Sequence, residues 1–178
     1  MLYAFAFDRV GVVVSDLYFV DPNPGRGQEG PEQGVRLELR MFERGELRGS
    51  IYSALPIAID RPIWRADLLE SVENPGSLDR AHHHPRFRKW EPGSRRFVNE
   101  MTADSVAWVG TRLSDLHGLL DDAEIRHDEV GPADADELRA AVPEILRAVQ
   151  GLLDRIAAGE LARPPDDGSS NNARAGWL

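Results

Sequence analysis

The chain has no cysteine among its 178 residues. This absence excludes disulfides, thiolate zinc sites and cysteine nucleophiles, and it fits a reducing compartment, so we expect a cytoplasmic protein. Lysine is nearly absent as well, because Lys89 is the single lysine among 21 basic residues. This arginine bias, with abundant alanine, glycine, proline and aspartate, is typical of a GC-rich bacterial genome, so we interpret it as a mark of the source.

Long apolar runs are also missing, because no window approaches 18 uninterrupted apolar residues. We therefore expect no membrane span and no membrane partner. The apolar N-terminus lacks a basic start and is interrupted by Asp8 and Arg9, so it is not expected to be a signal peptide. No phosphate-cradling Gly-x-x-x-x-Gly-Lys and no Gly-x-Ser-x-Gly elbow occurs.

The first half of the chain carries strand patterns. Val35, Leu37, Leu39 and Met41 alternate with charged residues, which predicts a half-buried strand with one solvent face. Comparable apolar or β-branched patterns predict further strands over residues 2–7, 10–20, 47–55, 63–70 and 78–84. Most of them are joined by short turns. We therefore expect an antiparallel sheet of about five to seven strands in the N-terminal half.

The second half carries helical patterns. Asp104 is a plausible N-cap for a helix running to Leu120, and Asp134 for a second one, which Pro143 should kink or break. The predicted fold class is α+β, an antiparallel sheet packed with two C-terminal helices. We expect one domain over residues 1–160 and a disordered tail over 161–178. The expected core comprises Trp64, Ala66, Leu68, Val109, Leu113, Leu116, Ile145, Val149 and Leu152.

The charge of the chain is unevenly distributed. Residues 80–96, the basic segment, hold six Arg or Lys residues and one Glu, whereas the whole chain has a net charge of −9. Three consecutive histidines and two aromatic residues lie in the same segment. A basic stretch with these residues on an acidic protein indicates a site for an anionic ligand or a metal.

The three consecutive histidines should point to two different faces of one strand. His82 and His84 point to one side and His83 to the other, because side chains alternate along a strand. A His-x-His pair on a strand can act in acid–base chemistry, can ligate a first-row metal, or can be a solvated strand end. These three interpretations remain open at the level of sequence.

A hairpin that turns at residues 74–75 would bring a carboxylate from the preceding strand next to the histidine pair. Pairing about this turn places Asp67 opposite His82 and Arg65 opposite His84. A slip of one residue would place Asp67 opposite the middle histidine. We therefore predict His82, His84 and Asp67 as catalytic residues, with Asp67 orienting a general acid or base.

The surrounding cations predict the ligand-binding part of the site, which comprises Arg65, Arg80, Arg86, Arg88 and Trp90. Arginines grip phosphates and tryptophan stacks on bases. The acidic remainder of the chain would repel a long polyanion, so we expect a phosphate-bearing small molecule or single-stranded RNA, and no duplex DNA. Clustered cations raise the cost of binding another cation, so we predict no metal and no cofactor.

Two sequence stretches carry a resemblance. The run from Pro62 to Glu70, Pro-Ile-Trp-Arg-Ala-Asp-Leu-Leu-Glu, and the run from Arg80 to Phe87, Arg-Ala-His-His-His-Pro-Arg-Phe, resemble an uncharacterised family of actinobacterial proteins over roughly residues 35–155. That family implies no activity. Asp79-Arg80-Ala81-His82-His83 is similar to a segment of small His-rich toxins of bacterial toxin–antitoxin pairs, although the Asp-Asn pair of those toxins is absent here, and the similarity favours RNA slightly.

Two function classes follow. The first is an anionic-ligand site on the His-rich strand, hydrolytic in its enzymatic version, with Arg80 and Arg86 stabilising negative charge. The second is a non-catalytic interaction protein, such as one component of a bacterial toxin–antitoxin-like pair, with a protein partner or a second copy of itself. Whether the protein is an enzyme is left open by the sequence.

Overall fold

A computed structural model describes residues 1–164 of the chain and has the predicted α+β architecture. The strands are β1 (Leu2–Ala6), β2 (Val10–Val20), β3 (Pro31–Arg44), β4 (Ile57–Ser71), β5 (His82–His84), β6 (Phe87–Arg88) and β7 (Glu91–Pro92), and the helices are α1 (Asn99–Ala103), α2 (Ser105–Leu113), α3 (Leu116–Asp122) and α4 (Asp134–Ala157). Strands β1 to β5 form an antiparallel meander in sequence order, and β6 and β7 form a separate two-stranded hairpin.

One face of the five-stranded sheet packs against the helices. Alternate residues of the central strands, such as Val12, Leu37 and Trp64, are fully buried there. They join the apolar stripes of α2, α3 and α4 in one contiguous core. All nine core residues predicted from the sequence are buried in it, so both the strand phase and the helix faces are confirmed.

The opposite face of the sheet is charged, and it is also covered. We call it the polar face, and its central members are Arg36, Glu38, Arg40, Arg65, Asp67, His82 and His84. The sequence predicted a solvent face here, but Glu38 is only 3% exposed. The reason is that residues 85–97, the covering segment, fold back over this face. Its contacts are described with the site below.

The hairpin between β3 and β4 differs from the prediction. The strand expected over residues 47–55 is wrong, because this stretch forms exposed turns with Gly49 at a φ of 112° and no partner strand. Strand β4 instead begins at Ile57, earlier than expected. It passes through Pro62 at a bulge, where a missing N–H is tolerated.

The helical half also differs in its breaks. The first predicted helix is divided at Ser114, because Asp115 caps a new helix by accepting a bond from the Gly118 N–H. Of the kink or break expected at Pro143, the break is wrong, because helix α4 is continuous through this residue. Asp134 is fully buried at the start of α4 and accepts hydrogen bonds from the N–H groups of Asp8, Arg9 and Gly131.

The chain still packs on the sheet beyond α4. The Ala162 N–H donates to Asp16 Oδ2 at 3.0 Å, and Ala162 is buried. The remainder of the predicted tail, from residue 165, lies outside the described residues. In residues 1–164, no helix combines the length and apolarity that a bilayer crossing requires.

Candidate functional site

The β4–β5 pairing confirms the predicted register. Asp67 lies opposite His82, and Arg65 lies opposite His84. The turn that follows Ser71 is tight, with Asn74 accepting a backbone bond from Ser77, and it sets this register. The sheet thus brings Asp67, His82 and His84 together on the polar face, as the residue alternation predicted. All three side chains are at least nine-tenths buried.

The hydrogen bonds of the two imidazoles fix their tautomers. His82 Nδ1 lies 2.8 Å from the backbone oxygen of Arg80, and His84 Nδ1 lies 2.6 Å from that of Gly93. A carbonyl oxygen only accepts, so each Nδ1 carries a proton and donates it. In the neutral rings both Nε2 atoms are then unprotonated acceptors.

Both Nε2 atoms face the same carboxylate oxygen. His82 Nε2 lies 3.4 Å from Asp67 Oδ2, and His84 Nε2 lies 3.6 Å from it. The two rings meet edge to face, with centroids 5.1 Å apart. Burial lowers the pKa of His82 to about 4, although Asp67 and the Arg80 carbonyl act in the opposite direction. His82 is therefore neutral at neutral pH.

The Asp67 carboxylate is held by an arginine that the sequence did not single out. Arg36 Nε donates to Oδ1 at 2.7 Å, and its Nη2 lies 3.3 Å from Oδ2. Burial alone would raise the pKa of Asp67, but the Arg36 guanidinium, the contact with His84 and the charge of Arg65 hold it well below its usual range. Asp67 is therefore a buried anion.

Glu38 is the second buried acidic side chain of the polar face, and it is bonded to two arginines. Its Oε1 accepts from Arg65 Nε at 2.8 Å, and its Oε2 accepts from Arg40 Nη1 at 3.1 Å. Arg65, predicted to bind a ligand, is thus engaged inside the protein. Charge sign alternates between β3 and β4 in both pairs, so Asp67 and Glu38 are each paired with a guanidinium.

The covering segment closes over these ion pairs with its aromatic residues. The Arg65 guanidinium lies 5.0 Å from the centre of the Phe87 ring, and that of Arg40 lies 5.4 Å from the Trp90 ring. The Phe97 ring lies 5.4 Å from that of His82. The segment is fixed at its base, where His83 and Arg96 exchange two backbone hydrogen bonds.

The other predicted ligand-binding residues do not converge on this cluster. Arg86 forms an ion pair with Glu124 near the end of α3. Arg88 and Trp90 lie on the exposed β6–β7 hairpin. Arg80 lies on the polar face beside the cluster, and its Nε and Nη1 are buried without a hydrogen-bond partner among the described residues. The predicted site therefore consists of a buried part and an exposed part.

His83 points to the helix side of the sheet, as the alternation predicted. Its ring packs against Trp108 and Trp64 at centroid distances of 5.0 and 6.3 Å. Burial, with the charges of Arg112 and Arg96, lowers the pKa of His83 to about 4. His83 is a core residue and belongs to neither part of the site.

The chemistry open to the buried part is limited by its hydrogen bonds. A general base needs one free nitrogen directed at its substrate. In His82 and His84, one nitrogen is bonded to a backbone carbonyl and the other faces Asp67. The same arrangement suits metal ligation, because one acceptor atom from each of the three residues lies within 4.8 Å of the others. Asp67, His82 and His84 could therefore hold a metal ion.

Sequence reasoning missed four acidic or basic residues of the polar face: Arg36, Glu38, Arg40 and Glu32. The signal for the first three was their alternation with buried leucines on β3. Glu32 is 1% exposed, and both of its carboxylate oxygens are without a hydrogen-bond partner among residues 1–164. Burial raises the pKa of Glu32, against the charges of Arg95 and Arg80.

Comparison with models of protein families, with curated proteins and with solved structures finds no match to this chain. The actinobacterial and toxin resemblances therefore stay predictions, and the geometry of the chain itself carries the functional argument.

Proposed function

We propose that the protein binds a short phosphate-bearing ligand, of the class of single-stranded RNA, through the β6–β7 hairpin and the residues beside it. The observation that carries this proposal is a group of exposed cations around an exposed tryptophan. Arg88, Lys89 and Arg96 are exposed, and none of them forms a salt bridge with another residue of the described chain. Trp90 is 56% exposed between them.

The hairpin has a local structure that presents these side chains outward. Phe87 pairs with Pro92, and Arg88 pairs with Glu91. Lys89 closes the turn with a φ of 59°. The Arg40 guanidinium supports the Trp90 ring from the sheet, so the ring is positioned before any ligand arrives. An exposed aromatic ring among cations is how proteins bind single strands without reading a sequence.

The ligand should be short because of the charge outside the basic segment. The remaining 161 residues together are strongly acidic. They would repel any part of a polyanion that extends over them, within a screening length of about 8 Å at physiological salt. Arg86 and Arg95 are already paired with Glu124 and Asp21, so only a few cations are available for phosphates.

The geometry favours binding over catalysis at this surface. The predicted acid–base residues His82 and His84 lie under the covering segment, and in each ring Nδ1 is bonded to a backbone carbonyl while Nε2 faces Asp67. A ligand on the hairpin would not reach them without displacement of that segment. The hydrolytic version of the function remains a prediction without geometric support, and the bacterial cytoplasm remains the expected location.

The test is fluorescence anisotropy with a labelled single-stranded RNA of about 10 nucleotides. We expect a Kd in the range of about 10⁻⁴–10⁻⁶ M, and a log–log salt slope near −2 for about three phosphate contacts. The double variant Arg88→Glu/Lys89→Glu should weaken binding at least about tenfold. Trp90→Ala should weaken binding while preserving most of the salt slope, because it removes stacking and no charge.

The matched control is Arg126→Glu, a charge reversal at an exposed arginine of the helical half. It should leave the Kd within about twofold. Equal losses in Arg126→Glu and in the hairpin variant would indicate a general effect of net charge and contradict the proposed site. Absence of RNA binding at low salt would reject the proposal, and capture of an acidic protein by the same hairpin would support the alternative of an interaction protein.

A further inference from the structure

The cluster of Asp67, His82 and His84 directs three potential ligand atoms at one another. Both Nδ1 atoms donate to backbone carbonyls, so the Nε2 atom of each ring is the one that faces Asp67 Oδ2. The Nε2–Oδ2 separations are 3.4 and 3.6 Å. Both separations are longer than a good N–H···O hydrogen bond, and a cation placed between the three atoms would be attracted by all of them.

The outer hydrogen bonds are those of metal-ligating histidines. Such a histidine almost always donates its second ring N–H to a carboxylate or a backbone carbonyl, which orients the ring and fixes the tautomer. His82 donates to the Arg80 carbonyl and His84 to the Gly93 carbonyl. Asp67 is oriented in a similar way, since Arg36 donates to its Oδ1 at 2.7 Å and makes only a longer contact of 3.3 Å with Oδ2, the oxygen that faces the histidines.

The spacing also fits a first-row metal ion. Zinc–nitrogen and zinc–oxygen bonds of about 2.0–2.1 Å place tetrahedral ligand atoms roughly 3.3 Å apart. The two separations from Asp67 Oδ2 are within a few tenths of an ångström of that value. Two of the three ligands sit on one strand and the third is directly opposite on the next, so the sheet holds all of them in place.

The ligand set restricts the kind of ion. Two imidazoles and one carboxylate suit zinc, iron, nickel or copper, whereas magnesium and calcium prefer sites made of oxygen atoms. Arg36 opposes any cation, but its charge is already paired with Asp67. Of the cations that weighed against a metal in the sequence, Arg86 is paired with Glu124 and Arg88 is exposed on the hairpin.

We propose that Asp67 Oδ2, His82 Nε2 and His84 Nε2 form a binding site for one first-row divalent metal ion. This inference goes beyond RNA binding at the hairpin and does not depend on it. The cluster is covered by residues 85–97, so the ion would fix this covering segment through His84 and Gly93. Any further ligand would reach the ion only when that segment moves.

The first experiment is elemental analysis and metal titration on the full chain prepared without a histidine tag. We expect one equivalent of a first-row metal, removed by a strong chelator and restored by zinc, together with a higher Tm in the loaded form. Cobalt(II) added to the chelator-treated protein should give visible absorption bands that zinc abolishes. No bound metal, no Tm shift and no cobalt spectrum would overturn the proposal.

The second experiment compares histidines on the two faces of one strand. His82→Asn, His84→Asn and Asp67→Asn should each lower zinc affinity by more than the roughly 10–100-fold typical of an outer partner. His83→Asn is the matched control, because His83 is equally buried on β5 but points to the core. It should keep one equivalent of metal.

A variant that fails to fold does not leave the question open, because the cobalt spectrum of the unmodified protein reports nitrogen and oxygen ligation directly. Equal loss of metal in His83→Asn and His82→Asn, with circular dichroism unchanged in both, would contradict the assigned ligands. The hairpin variant Arg88→Glu/Lys89→Glu should bind zinc as the unmodified chain does. Loss of RNA binding with retained zinc would thus separate the two proposals.

Discussion

The two faces of the central sheet are both buried, but by different physical means. On the helix side, residues such as Leu37, Trp64 and Ala66 are excluded from water by packing. On the polar face, Arg36 with Asp67 and Arg65 with Glu38 are covered while still charged. The first face depends on apolar area, and the second depends on each charge keeping its partner.

The largest loss of stability is expected from a substitution on the helix side of the sheet. Trp64→Ala should lower the free energy of unfolding by about 3–5 kcal/mol, because Trp64 is fully buried and its removal leaves a cavity. Chemical denaturation measures this. Tyr52→Ala, at an aromatic residue that is 91% exposed, is the control and should change stability by less than about 0.5 kcal/mol. Similar values for both variants would show that the core is misassigned.

On the polar face, a substitution should lower stability for a different reason, because it removes the partner of a buried charge. Arg36→Leu should cost about 3 kcal/mol, since it leaves the buried Asp67 carboxylate without its guanidinium. The double variant Arg36→Leu/Asp67→Leu should be more stable than Arg36→Leu alone, measured in the presence of a chelator. Additive losses in the double variant would mean that the two charges do not stabilise each other.

A smaller effect is expected from Glu32, the acid of the polar face without a hydrogen-bond partner among residues 1–164. Its pKa is raised in the folded chain, so the folded state favours the protonated form, and stability is lost as pH rises through that folded pKa. Glu32→Gln should therefore gain on the order of 1 kcal/mol at neutral pH and little in acid. Glu29→Gln is the control: Glu29 is exposed and backbone N–H groups lower its pKa, so this variant should show no gain in stability at neutral pH.

The smallest change in stability is expected from a substitution on the β6–β7 hairpin, which lies over the polar face. Arg88→Glu should change the free energy of unfolding by less than about 0.5 kcal/mol, because Arg88 is exposed on the hairpin. The same variant should weaken RNA binding. A loss of stability as large as that of Arg36→Leu would mean that the hairpin charges belong to the buried layer.

The sequence predicted those parts of the site that depend on one tight turn. A turn through residues 74–75 and the two-residue alternation are enough to place Asp67 opposite His82, and the structure has that register. The nine core residues followed in the same way from helix and strand periodicity. These are short-range rules, and they hold wherever a local signal fixes the pairing.

The partner of Asp67 could not be found by the same rules. Arg36 reaches Asp67 across the β3–β4 pair, whose register depends on a connection that the sequence misassigned as a strand over residues 47–55. The covering segment was missed for a related reason. Its basic composition predicts a segment exposed to solvent, whereas its aromatic residues and the Gly93 carbonyl attach it to the sheet. Only long-range contacts decide between the two.

The buried Asp134 has a consequence for the order in which the chain can fold. Its carboxylate accepts N–H groups from Asp8 and Arg9, which precede it by about 125 residues. In a growing chain, residues 8 and 9 leave the ribosome long before Asp134 is synthesised, so until then their N–H groups lack this native partner. The sheet half therefore cannot complete its native structure during synthesis, and expression of the strands without α4 should yield an aggregating fragment.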